Sequence, residues 1–180
     1  MKKLYVSFII VFFLIGCSNE AVEPTITESQ TLEEQIINVM SENELSNKEI
    51  IDYDIKDNFV YVIFKNKHES NTHNPDLVIL KNSNGKLEWV AGPEDRTASI
   101  GLQEADALIF GRDEAPTVTI LLPDKKPEDT NVKGIKVLGE SAKSVTYVEE
   151  LTNDLYMQYM YWIAYTNEEP THDDFEFITH

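Results

Sequence analysis

Several stretches of this 180-residue chain hold side chains whose types and spacing could do chemistry. His68-Glu69 followed by His73 has the residue types of a zinc-peptidase helix, which needs two histidines four apart on one helical face. Here they are five apart, which turns them about 140° from each other around a helix. The surrounding ESNTHNPD is also loop-like in composition. Within a loop, His68, His73 and Asp76 are the candidate metal ligands, because imidazole and carboxylate together suit a divalent cation. The plain alternative is a solvated loop. Asp52, Asp54 and Asp57 alternate at a strand end and have the oxygen ligands calcium takes, but the EF-hand glycine and closing glutamate are missing. His172-Asp173-Asp174 with Glu176 is a second acidic cluster. Both read more simply as solvated charge runs.

Ser83-Asn84-Gly85-Lys86 fits the Ser-x-x-Lys spacing of penicillin-recognising enzymes, where the serine opens a helix and the lysine lies one turn on. Asn-Gly between two strand-like runs instead predicts a hairpin turn. Trp89, Tyr161 and Trp162 could stack a ligand, yet each sits in an apolar strand-like run and is expected in the core. The chain has no GxSxG elbow, no Walker-type phosphate loop and no GxGxxG. No catalytic residue is assigned, no cofactor is expected, and the protein is read as a non-enzyme.

Cys17 is the sole cysteine, so no internal disulfide can staple the fold. It follows Lys2-Lys3 and an apolar run from Leu4 to Ile15 that closes as Leu14-Ile15-Gly16-Cys17. Charge, then a short apolar run, then small residues is the order of an export signal. From Leu4 to Gly16 the run would reach only about 20 Å as a helix, short of the roughly 30 Å of a bilayer's hydrocarbon. The segment resembles the lipobox of bacterial lipoproteins. That resemblance implies cleavage before Cys17, a diacylglycerol on its thiol with or without an added N-acyl chain, and anchoring at the extracytoplasmic face of the cell membrane. Two acyl chains give a durable anchor where one is marginal. The chain is also similar, in a general way, to small lipoproteins of low-GC Gram-positive bacteria, a likeness that assigns no reaction.

Fifteen basic against 32 acidic residues give a formal charge of −17, and losing residues 1–16 with Lys2 and Lys3 takes it to −19. Such a surface excludes nucleic acid, whose phosphates need Lys/Arg neutralisation. It is repelled by anionic headgroups as well, so the expected membrane contact is lipid on acylated Cys17.

The elements that must position these residues follow in order. Residues 1–16 read as the signal peptide, and 17–30 as the lipidated N-terminus and a polar tether. Thr31-Leu32-Glu33-Glu34 has capping-box form, and Leu32, Ile36, Val39 and Met40 predict an amphipathic helix over 32–41 ending at Asn43. Strands are expected over 50–55, 59–65, 77–81 and 87–91, with a long polar loop over 66–76. Residues 97–107 suggest a short helix. Further strands are expected over 108–111, 117–122, 135–138, 144–149 and 156–165, with an edge strand at 175–178. The expected fold is α+β: an N-terminal helix packed on an antiparallel sheet over 31–95, then a β-rich lobe over 96–180. The function expected is a membrane-anchored binding module. Its alternatives are a divalent-metal-responsive protein and a hydrolase whose site is assembled from distant residues.

Overall fold

Val60, Val62 and Phe64 alternate with Tyr61 and Ile63, so this strand offers apolar groups to both sides and must lie between two other layers. The computed structural model describes residues 30–67, 73–125, 130–152 and 155–179, without the side chains of Lys67, His73, Leu151 and Thr152. In it, α1 (Leu32–Glu42) is followed by β1 (Ile50–Lys56), β2 (Phe59–Lys67), β3 (His73–Ser83), β4 (Lys86–Ala91), β5 (Ala98–Gly101) and β6 (Ala105–Arg112). The chain continues as β7 (Ala115–Pro123), β8 (Val132–Val137), β9 (Glu140–Ser141), β10 (Lys143–Thr152), β11 (Leu155–Thr166) and β12 (Phe175–Thr179). The strands form three antiparallel sheets, ordered β1-β2-β3-β4, β10-β11-β7-β6-β5 and β12-β8-β9.

The layers follow from which faces are apolar. Tyr61, Ile63, Leu77 and Ile79 of the first sheet pack with Phe110, Val118, Ile120, Tyr161 and Ile163 of the second. On the first sheet's other face, Val60, Val62, Phe64, Val78 and Leu80 meet Ile36 and Met40 of α1. On the second sheet's other face, Ala105, Ala107, Leu121, Trp162 and Ala164 meet Val132, Ile135 and Val137 of the third. Thr31 to His180 form one compact unit.

Local chemistry sets the joints. Thr31 Oγ1 accepts from Glu34 N at 3.2 Å and Thr31 N donates to Glu34 Oε2 at 2.9 Å, so the capping box opens α1 as expected. Asn43 ends it, its side chain donating to Val39 O at 2.8 Å. Asn84 and Gly85 take φ of 57° and 86°, the double left-handed pair that turns β3 into β4.

The α+β expectation is corrected. Among the described residues α1 is the only α-helix, twelve strands carry the rest, and the fold is mostly β. Two misread stretches explain the difference. Residues 97–107, expected to be helical, form β5 and the start of β6. Ala98 and Ile100 are half-buried while Ser99 and Gly101 are exposed, a period of two that the small residues conceal. The expected loop over 66–76 is largely strand, since β2 runs on to Lys67 and β3 starts at His73, with Lys67 opposite His73.

Candidate functional site

Three places gather polar or exposed side chains that the fold does not simply bury. The first lies where β1 overlies β10 and β11. Asp52 and Asp54, two apart on β1, share one face. Lys143 Nζ sits between them, 2.9 Å from Asp52 Oδ2 and 2.8 Å from Asp54 Oδ1. Tyr165 Oη donates to Asp54 Oδ2 at 2.8 Å, and Lys56 Nζ stands 4.5 Å above the Tyr165 ring. Behind them Tyr61 packs edge-on against Tyr165 at 5.0 Å, and Tyr147 stacks on Tyr159 at 5.4 Å. Lys65 Nζ reaches Glu49 Oε1 at 2.8 Å.

This cluster binds one sheet to the other and holds its protons tightly. Burial opposes the charge on Lys143, but its hydrogen bonds to Asp54 and Asp52 and their negative charges outweigh it and raise its pKa. Burial, with the hydrogen bond to and charge of Asp54, pushes the Tyr165 phenol far above its ordinary value. Neither side chain changes protonation near neutral pH, so neither is poised as a general base there. The aspartate pair read as a calcium candidate thus already has a resident cation, Lys143. Asp57 instead occupies the β1–β2 turn with φ 54°. Only the packing of the first sheet on the second brings Lys143 of β10 to the aspartates of β1, and no local spacing in the chain announces it.

The second place surrounds Asp76, which is buried. Asn66 Nδ2 donates to its Oδ2 at 2.9 Å and Leu77 N to its Oδ1 at 2.9 Å. Arg96 Nη2 lies 3.7 Å from Oδ2, and Lys48 Nζ donates to Asn66 Oδ1 at 2.7 Å. Lys48 and Asn66, together with Trp89 and Asp95, line a groove of about 370 Å³. A cation at Asp76 would compete with these donors. Of its expected co-ligands, His68 lies outside the described residues, and the His73 backbone stands three residues away on β3, about 10 Å along the strand. Among the described residues, no group of three or more His, Cys, Asp or Glu side chains is gathered for a metal. Cys17, the expected lipidation site, also lies outside the described residues.

The other sequence candidates take ordinary places. Ser83 and Lys86 flank the β3–β4 turn, and Ser83 Oγ donates to Glu88 Oε2 at 3.1 Å. His172, Asp173 and Asp174 form a 3₁₀ turn whose Asp174 Oδ2 accepts from Thr171 N and Thr171 Oγ1, both at 2.7 Å. Those bonds lower the Asp174 pKa. Tyr161 and Trp162 are core residues, and Trp89 packs beside α1.

The third place is the far end of the β10–β11 hairpin. β11 pairs with β7 only from Trp162 to Thr166, while its pairing with β10 spans Leu155 to Ile163. The hairpin therefore runs past the rest of its sheet as a two-stranded arm. Val148, Leu155 and Tyr156 on it are 58%, 53% and 62% exposed. Val148 lies opposite Gln158 and Glu150 opposite Tyr156, which makes Val148 and Tyr156 diagonal neighbours on one face.

No family model matches the chain, and neither a curated protein nor a solved structure matches it.

Proposed function

We propose that this protein is an extracytoplasmic lipoprotein, held in the membrane by acyl chains on Cys17, whose folded body is a non-enzymatic binding module. The observation that carries the binding reading is the solvent-exposed apolar group Val148, Leu155 and Tyr156 on one protruding hairpin. Val148 and Tyr156 stand side by side on one face of the arm, with Leu155 on the other, and neighbouring exposed apolar side chains on a protruding element suit an interaction surface. The anchoring reading rests on the order of Lys2-Lys3, the apolar run and Cys17. The acidic body, repelled by anionic headgroups, leaves the partner-binding arm free of the lipid surface.

One pair of variants in intact cells tests both halves. Cys17→Ser is expected to accumulate as a larger, unprocessed precursor, while the parent runs at mature size in the membrane fraction. A Cys17→Ser chain of mature size, still membrane-bound, overturns the anchor. A photo-crosslinking residue at position 156 is expected to trap a discrete adduct that the same residue at Asp113, in the β6–β7 turn, does not trap. Equal trapping at both positions overturns the binding arm.

A further inference from the structure

β10 is the long open edge of this molecule. The other edge strands are short or broken: β4 has six residues, β5 four, β9 two and β12 five. β1 has seven, with a register shift between Ile50 and Asp52. β10 has ten, and its pairing with β11 runs unbroken from Lys143 to Glu150. The segment KSVTYVEE holds no proline and is rich in β-branched and aromatic residues. A row of unpaired N–H and C=O groups invites another strand, and of the usual blunting devices (proline, bulges, inward charges) the run Lys143 to Glu150 carries only the inward charges Lys143 and Glu149, the first already held by Asp52 and Asp54. Here the described residues place no strand beside it.

We propose that the occupant of this edge is a second copy of the same chain, paired antiparallel through β10 about a two-fold axis at Thr146. The edge fits a copy of itself. With Thr146 opposite Thr146, Val145 falls opposite Tyr147 of the second copy, Ser144 opposite Val148, and Lys143 opposite Glu149. Glu150 falls opposite Ala142. Val145 thus meets an aromatic ring, Ser144 and Glu150 meet small or uncharged side chains, and no two like charges stand directly opposite each other. Moving the axis one residue, to Tyr147, places Val145 opposite Glu149 and Ser144 opposite Glu150, and leaves Lys143 opposite Leu151. The strand alternates half-buried Val145 and Tyr147 with exposed Ser144, Thr146 and Val148. Pairing of like with like parity keeps the inner faces of both copies on one side. The result is a closed, isologous dimer with one continuous ten-strand sheet, twice the five of a single copy. This goes beyond the binding reading and does not depend on it: the dimer uses the β10 backbone, whereas that reading uses the outer face of the arm.

The test uses the full chain in detergent, with the parent, which carries Cys17 alone, as the reference for any disulfide that Cys17 itself forms. Directly paired residues of an antiparallel ladder have Cα atoms about 4.5–5.5 Å apart, inside the range a disulfide spans. Thr146→Cys is therefore expected to give a disulfide-linked dimer under mild oxidation, several-fold above the parent and above Val148→Cys. In this register the two copies of residue 148 stand four residues apart, about 13 Å, too far to bridge. Bridging equal at both positions, greater at 148, or absent at 146 overturns the proposal. Thr146→Lys, which puts two like charges on the axis, keeps the fold measurable where oxidation misleads. By light scattering the parent is expected to be dimeric and Thr146→Lys monomeric with an unchanged circular dichroism spectrum. A monomeric parent or a dimeric Thr146→Lys chain overturns it.

Discussion

Raising the pH from 9 to 12 is expected to unfold the body of this protein in one cooperative step. Tyr61, Tyr147, Tyr161 and Tyr165 all have phenol pKa values pushed above the ordinary 10.0, each chiefly by burial and further by nearby negative groups. In the unfolded chain these phenols release their protons near pH 10, while in the fold they keep them. Their contribution is therefore fully present below pH 10 and is lost as pH rises toward the folded values. Each pH unit above 10 costs about 1.4 kcal/mol per tyrosine. For Tyr61 and Tyr161, both 0% exposed, this amounts to roughly 5 kcal/mol at pH 12, comparable with the whole stability of a typical domain, about 5–15 kcal/mol. Tyr147 and Tyr165 add to it. Tyrosinate absorbance and near-ultraviolet circular dichroism should change together at one midpoint. Gradual ionisation with the dichroism intact would sink the prediction. Tyr161→Phe, which removes one proton-linked group, should move the midpoint to higher pH. Tyr165→Phe should instead weaken the fold at neutral pH by about 1.5–3 kcal/mol, because its hydroxyl bonds the Asp54 carboxylate.

The same tyrosines show where the chain is legible and where it is not. Local signals read well. The Thr31–Glu34 box, the Asn43 stop and the Asn84-Gly85 turn depend on residues within a few positions of each other, and each sits where its chemistry places it. Strands with alternating or two-sided apolar patterns, such as β2 and β11, are equally visible. Residues 97–107 failed because alanine and glycine carry little period, so β5 and the start of β6 resemble a helix until the neighbouring strand supplies the pattern. The fold class failed with them. The inter-sheet cluster was out of reach for another reason: Asp54 and Tyr165 are 111 residues apart and Asp52 and Lys143 are 91 apart. Carboxylates spaced by two look identical whether solvent, calcium or a distant lysine satisfies them. The exposed hairpin is likewise hidden, since YMQYMYWIAY is apolar at every position but Gln158 while the fold buries only its second half.

That last contrast yields the largest mutational effect expected of the molecule. Trp162 and Tyr156 lie on the same strand, six residues apart, and an even separation puts both side chains on the same face of β11. Trp162 is 2% exposed, Tyr156 62%. The difference is coverage. At Trp162 the third sheet closes over the face, and the indole packs among small residues, Ala105, Ala107 and Ala164, beneath Val132, Ile135 and Val137. Those alanines leave the space that the indole fills, so neighbours cannot collapse into the void left by truncation. Trp162→Ala is therefore expected to cost about 3–5 kcal/mol, and with it the docking of the third sheet. Tyr156→Ala, beyond that sheet, should fall within roughly 0.5 kcal/mol of the parent. Urea denaturation of the two variants measures both. The contrast fails if Tyr156→Ala loses as much as Trp162→Ala, which would mean that the arm is packed against something in solution. Were that loss seen only at high protein concentration, the packing would be between copies. The equilibrium that Thr146→Cys traps would then be visible in stability itself.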